Sequence, residues 1–339
     1  MNRKHFLTSV FAAGVGISTP GGSRSFTKTA SRVPPYLKKG DLLGITSPAG
    51  YITPEELQPA IKQIESWGLK IKIGNTIGKR DFSFGGTDDE RTADFQQMLD
   101  NPDIKAILCA RGGYGSVRII DKLNFSKFLQ KPKWVIGFSD VTVMHCHINS
   151  NYSTATIHSK MCNSFPENPE MAKPVQIETI LSIKDAIMGV RMKYQAPPHE
   201  QNKNGIAEGE LIGGNLKTIE NLAGTKSEIN TSGKILFVED TGEYLYNIDR
   251  MLWNLQRSGK LSPLKALIIG GFRIKPDDPG EDFGRTLYDI VREKVKQYKY
   301  PVCFDFPVGH QIDNYALKCG VRHRLTVTDN DVELLELAI

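Results

Sequence analysis

Cysteine is scarce and scattered in this chain of 339 residues: Cys109, Cys146, Cys162, Cys303 and Cys319 are five in all. So few thiols exclude a disulfide framework, and the odd count leaves at least one unpaired. Most read as small core fillers. After the N-terminal leader, no apolar run approaches the about 20 residues that a membrane helix needs. A surplus of one charge is missing as well. The formal net charge of +5 is accounted for by Arg3, Lys4, Arg24, Lys28 and Arg32, which meet no acid within residues 1–32, so residues 33–339 are neutral overall. A neutral body carries no electrostatic footprint for nucleic acid. There is no internal repeat and no low-complexity tract, and 40% apolar content at this length suffices for a full core, with length favouring two domains.

Residues 1–32 have their own character. A basic start, an apolar stretch of about a dozen residues and a small, polar, proline-containing tail read as an export signal, which predicts a periplasmic product. Asn2-Arg3-Lys4-His5-Phe6-Leu7 loosely resembles a twin-arginine signal with lysine in the second place.

From residue 41 short apolar runs alternate with helical periodicity. Strands are expected at Leu42–Thr46, Leu69–Ile73, Ile104–Ala110 and Trp134–Phe138, with helices near 54–67, 88–99, after Ser116 and from about Asp140. Strands alternating with helices imply an α/β fold with a doubly wound, mostly parallel sheet. Ligands then sit at the carboxyl ends of the strands. Those ends are Ser47–Gly50, Phe84–Thr87, Arg111–Ser116 and Ser139-Asp140, expected to line one crevice. Residues 33–165 read as the N-terminal domain and the proline-rich 166–206 as a linker or crossover. Residues 207–339 read as a second α/β domain, with strands at Glu208–Ile212, Lys234–Val238, Ala266–Gly270 and Val302–Phe306, helices about 245–258 and 281–298, and a closing pair at Arg324–Thr328 and Val332–Leu335.

The segment Ile104–Leu123 is the most informative: a buried strand breaks on Gly112, Gly113 and Gly115, places Ser116 at the turn and restarts as a helix. Such a turn exposes a hydroxyl above the sheet while the unpaired N–H groups of the first helical turn face the point where an oxyanion would form. A serine hydroxyl needs a base, and the base an orienting acid. Among the histidines, His310 stands out, in the glycine-containing turn Phe306-Pro307-Val308-Gly309-His310 after a strand. For the acid, Glu239 and Asp240 end the apolar run Lys234–Val238, with Glu243 nearby; alternation favours one of the first two without choosing between them.

Ala110–Arg118, Ile136-Gly-Phe-Ser-Asp140, Gly213-Gly-Asn-Leu216, Leu236–Asp240 with Asp249–Leu252, and Gly309-His310 together resemble the LD-carboxypeptidase family of serine peptidases, which includes the microcin-immunity peptidases. The resemblance spans roughly residues 38–337, in order. It implies Ser116 as nucleophile, Glu239 as orienting acid and His310 as base, and hydrolysis of the bond between an L-centre and a terminal D-alanine in murein tetrapeptides. It further implies an N-terminal domain like the class I glutamine amidotransferases, a homodimer, and no metal or organic cofactor. Backbone N–H groups of Val117, Gly113 or Gly86 are the implied oxyanion donors. Arg111 and Arg118 are candidates for the substrate carboxylate by bidentate contact, and Asp140 and Asn215 for other substrate contacts. Two features depart from familiar patterns: Arg118 stands where ordinary α/β-hydrolases have the last glycine of Gly-x-Ser-x-Gly, and Ile157-His158-Ser159 replaces the His-Gly-Pro of many relatives.

Other readings weigh less. Ser116 would serve equally as a helix cap, and Glu239 as a partner for Arg250. Met144-His145-Cys146-His147 resembles a metal cluster, but i and i+2 on a helix point to different faces. Gly112-Gly113-Tyr114-Gly115 lacks the third glycine of a dinucleotide loop. Ser25-Phe-Thr-Lys28 matches Ser-x-x-Lys without a later Lys-Thr-Gly. A peptidase of peptidyl-nucleotides and a non-catalytic muropeptide-binding module are the alternative functions.

Overall fold

The computed structural model describes residues 31–338; residues 1–30, which hold the expected export signal and the Ser25–Lys28 motif, lie outside the described residues. Thirteen strands form among the described residues: β1 (Leu42–Thr46), β2 (Lys70–Ile73), β3 (Ile104–Cys109), β4 (Trp134–Gly137), β5 (Thr156–His158), β6 (Lys193–Ala196), β7 (Gly205–Asn215), β8 (Ile235–Glu243), β9 (Ala266–Ile274), β10 (Val302–Cys303), β11 (Leu317–Cys319), β12 (Arg322–Val327) and β13 (Val332–Glu336). They make a six-stranded sheet in the order β11-β5-β4-β3-β1-β2 and a seven-stranded sheet in the order β10-β9-β8-β7-β12-β13-β6. The first is parallel except for β11; the second is parallel from β10 to β7 and antiparallel beyond.

Strand side chains alternate between two cores. Ala106, Leu108, Trp134 and Ile136 share one cluster with Phe237 and Ile268, whereas Ile107, Cys109 and Val135 share the other with Leu236, Val238 and Ile269. Central strands buried on both faces read as continuous apolar runs, which is why β1, β3 and β4 were expected where they occur. Each cluster draws on both halves of the chain, so the two sheets are built on a common interior. Helix starts are equally local in origin. Thr53 and Thr87 cap Pro54–Ser66 and Asp88–Asp100, each completing a capping box with the glutamate three residues on.

The expected partition changes in four places. The stretch 166–206 is an ordered crossover: it contains the helix Pro174–Ile187 and β6, which pairs with β13. Strand β11, from the C-terminal half, completes the N-terminal sheet against β5. Strand β7 runs through the glycine pair to Asn215, because Gly213 and Gly214 pack where a Cβ would meet the Phe237 carbonyl and Thr142. The helix expected from 281 starts at Leu287, where Thr286 supplies the cap.

Burial lowers His145 and His323 to about 4, and holds His158 well below the usual imidazole range. Between pH 4 and 6.5 the unfolded chain therefore binds protons at these positions that the folded chain does not, so stability rises with pH across that window. Buried Asp240, raised to about 6, works the other way as it ionises. With the histidines in the majority, we expect Tm to climb from pH 4 to 6.5, each of His145 and His323 costing about 3 kcal/mol at the acid end. His145→Gln should flatten the profile; a wild-type Tm constant over this range would refute the account.

Candidate active site

Strand β3 ends buried at Cys109, and the chain turns through Gly113 (φ +103°) and Gly115 (φ +144°) into the short helix Ser116–Ile119. Only glycine tolerates the second of these positions: a Cβ on Gly115 would lie 2.6 Å from Arg91 Nη1. Arg91 is wholly buried and fastens the surrounding loops. Its Nη1 donates to the carbonyls of Pro48 (2.5 Å) and Gly115 (3.0 Å), its Nε to Gly86 (3.2 Å), and its Nη2 to Asp88.

On the other side Asp140 Oδ2 accepts from the Ser116 N–H at 2.8 Å. Burial pushes the Asp140 carboxyl above the ordinary aspartate range, against the Ser116 and Gly115 donors and Arg91, which hold it down. The Ser116 hydroxyl is buried and makes no hydrogen bond with a protein group.

The candidate acid comes from β8 of the second sheet and the candidate base from the turn between β10 and β11. The β8–β9 register slips between Val238 and Asp240, at Glu239, and such irregularities re-aim side chains beside active sites. Glu239 Oε2 lies 2.5 Å from His310 Nδ1, with the carboxylate fully buried. Asp240 points to the opposite face, accepting from Asn215 Nδ2 (2.8 Å) and the Lys217 N–H (2.9 Å). Of the two acids left open by alternation, Glu239 therefore faces the histidine. Gly309 makes this possible: at φ +104° its backbone packs where a Cβ would fall 2.4 Å from Glu239 Cβ, and its N–H donates to Asn314 Oδ1 at 2.8 Å.

Ser116 and His310 are not hydrogen-bonded to each other; the bond made by the imidazole goes to Glu239. Three consecutive residues after β4 link the two. Phe138 packs on the His310 ring (centroids 5.0 Å apart), Ser139 takes a left-handed φ of +61°, and Asp140 holds Ser116. Unpaired Ser–His geometry of this kind is common before substrate tightens the site.

Two cavities flank this link. One, about 770 Å³, is bordered by His310, Phe138, Lys160, Arg273 and Gln311; the other, about 370 Å³, by Gly113, Val117, Asp140, Asn215 and Asp240. Val117 and Gly113, the candidate oxyanion donors, border the smaller of the two. Gly86 borders neither, its carbonyl being engaged by Arg91.

The remaining candidates have structural partners. Arg118 pairs with Asp88 at 2.8 Å, and Arg111 donates to the Tyr51 carbonyl at 3.3 Å. The Asn215 side chain is divided between Asp240 and the cap it forms for Thr218 (3.0 Å), so it shapes its cavity wall. His145 Nε2 bonds the Gly137 carbonyl and His147 Nδ1 the Ser227 hydroxyl, which separates the two rings as helical spacing requires. Lys160 and Arg273 were not singled out from sequence, although Lys160 follows β5 and Arg273 is the penultimate residue of β9, at the ends where a crevice is expected.

Family models for the LD-carboxypeptidase N-terminal domain and C-terminal domain match residues 43–159 and 208–325. The chain belongs to the LD-carboxypeptidase family. It is 32% identical over 298 residues to a probable murein peptide carboxypeptidase of Bacillus subtilis, covering 87% of this chain and 92% of that one. It is 26% identical to the microcin C7 self-immunity protein MccF of Escherichia coli, over 88% and 94% of the two chains. The crystal structure of muramoyltetrapeptide carboxypeptidase from Oxalobacter formigenes superimposes with a TM-score of 0.78 at 28% identity, covering 87% of this chain and 99% of that one. Peptidase chemistry accordingly belongs to this fold, and the sequence blocks that carried the resemblance hold residues of the site just described, except Asp249–Leu252, which lies on the helix Leu245–Arg257.

Two substitutions test the framework. Arg91→Met keeps the bulk but strands three carbonyls, and should cost about 3 kcal/mol or more in thermal or urea unfolding; an unchanged midpoint would show that Arg91 fastens nothing. Gly309→Ala should displace Glu239 and lower kcat about 100-fold. Gly259→Ala, at φ +73° but with nothing within 4 Å of its Cβ, is the control for backbone strain alone and should leave turnover intact.

Proposed function

We propose that this protein is a serine LD-carboxypeptidase that releases terminal D-alanine from murein tetrapeptides, with Ser116, Glu239 and His310 as its triad. The observation that carries the reading is the buried Glu239–His310 pair at 2.5 Å, bordering a cavity, with an unpartnered serine hydroxyl held nearby by Asp140. With Nδ1–H donated to Glu239, His310 presents an unprotonated Nε2, the tautomer that a base needs. Substrate binding brings Nε2 onto Ser116 Oγ. The serine oxygen then attacks the carbonyl carbon of the L-residue while its proton passes to His310. The tetrahedral oxyanion is met by the Val117 and Gly113 N–H groups. The C–N bond breaks, D-alanine leaves with the proton returned by His310, and water hydrolyses the ester to regenerate the serine.

Relatives named for murein peptides and a structural neighbour named for muramoyltetrapeptide support this substrate. We further take residues 1–32 as an export signal, which would bring the enzyme to the murein. The identity to MccF supports a second reading, cleavage of a peptidyl-nucleotide by the same triad.

Purified protein incubated with tetrapeptides ending in L-Lys-D-Ala or diaminopimelate-D-Ala should yield free D-alanine by mass spectrometry. Ser116→Ala should lower kcat on the order of a million-fold. Parental rates in that variant would sink the mechanism, and turnover confined to an aminoacyl nucleotide conjugate would favour the second reading.

A further inference from the structure

The larger cavity has a one-sided charge. Lys160 and Arg273 both border it, beside His310, and no Asp or Glu among the described residues does. Among the described residues neither cation makes an ion pair. Lys160 Nζ donates to the Gln311 carbonyl at 2.5 Å, leaving two of its three N–H groups without a protein acceptor, and Arg273 has no bonded partner. The acids that act on Lys160 electrostatically, Asp313 and Glu239, are outside the cavity lining, and Glu239 is committed to His310. Burial and the neighbouring Arg273 depress the basicity of Lys160, against Asp313 and Glu239, which raise it, so two like charges stand at a partly desolvated wall with no carboxylate bonded to either. Several other cations have a bonded carboxylate: Arg118 with Asp88, Lys217 with Glu243, Lys318 with Glu336.

Position identifies the missing anion. The group that protonates a leaving amine must adjoin it, so the cavity that His310 borders is the side on which the leaving residue sits. In an α-amino acid the carboxylate is one carbon removed from that nitrogen. Lys160 is bonded to the carbonyl of Gln311, the residue that follows His310, so its ammonium is tied to the same turn as the base. Phe138 and Phe272 supply apolar wall around the two cations, which strengthens a charge-assisted contact by excluding water.

Resting on the peptidase reading, we propose that Lys160 and Arg273 form the subsite for the free α-carboxylate of the departing D-residue, and that this pair restricts the enzyme to chain ends. A peptide continuing past that residue, or one capped as an amide, offers no charge to this wall. The arginines flanking the nucleophile, Arg111 and Arg118, take no part in it.

The test uses full-length Ser116→Ala protein, which binds without turning over, titrated calorimetrically with L-Ala-γ-D-Glu-L-Lys-D-Ala and with its C-terminal amide. The free acid should bind at least tenfold more tightly than the amide. Adding Lys160→Gln or Arg273→Gln should remove most of that preference while leaving amide affinity unchanged, which also serves as the check on folding; Lys160→Arg should retain it. Equal binding of acid and amide would overturn the subsite, as would variants that weaken both alike. Binding of neither peptide overturns the subsite together with the murein reading. Acid-preferring binding by Ser116→Ala, with no D-alanine released by the parental enzyme, would uphold the subsite and overturn the peptidase reading alone.

Discussion

A single buried guanidinium sets the shape of the loop that carries Ser116. Arg91 carries a charge into an interior position, and burial accordingly lowers its basicity, but a guanidinium stays protonated and offers its donors in a rigid fork. Those donors reach carbonyls in three separate loops, at Pro48, Gly86 and Gly115, that follow or flank the ends of β1 and β3. The loops at the carboxyl edge of a parallel sheet have no ladder to order them. Here they converge on one cation, with Asp88 balancing it. Ser116 is then gripped from the opposite side by Asp140, so the turn is fixed by a positive group beneath and a carboxylate above.

The acid and base depend on a different constraint, the path of the chain between the two sheets. Strand β10 belongs to the second sheet and β11 to the first, and residues 304–316 make the passage from one to the other. His310 lies on that passage. Glu239 meets it from β8, and the parallel bridge between Gly271 and Gly309 stitches the passage to β9. A residue on a surface loop is thereby seated as firmly as one on a strand, which is what an orienting hydrogen bond requires.

Much of this was readable beforehand because it is local. The apolar runs of β1, β3 and β4 and the glycine-broken turn before Ser116 each announce themselves within a few residues. What escaped was set by distance along the chain. Three-residue strands such as β5 and β11 have too little pattern to be seen, and they exist because each gives the other a partner 160 residues away in sequence, Thr156 with Cys319 and His158 with Leu317. Asn215 and Asp140, candidates for substrate contacts, border the smaller cavity, yet their polar atoms are spent on Asp240, Thr218 and Ser116. Arg118 was drawn away by Asp88, on a helix 30 residues earlier. Lys160 and Arg273 carry no motif at all; what sets them apart is that no carboxylate borders the cavity they line, a property of the folded surface.

Strand β11 has a bearing on how the molecule comes into being. It is the edge of the sheet that carries Ser116, yet it is made from residues 317–319, far beyond that serine in sequence. Until β11 has docked, β5 lacks a partner on that side and the passage that carries His310 has no anchor at its far end. A chain clipped before β11 would therefore keep Ser116 without the segment that seats His310 against Glu239, so the two parts of the site come together only when the first sheet is closed.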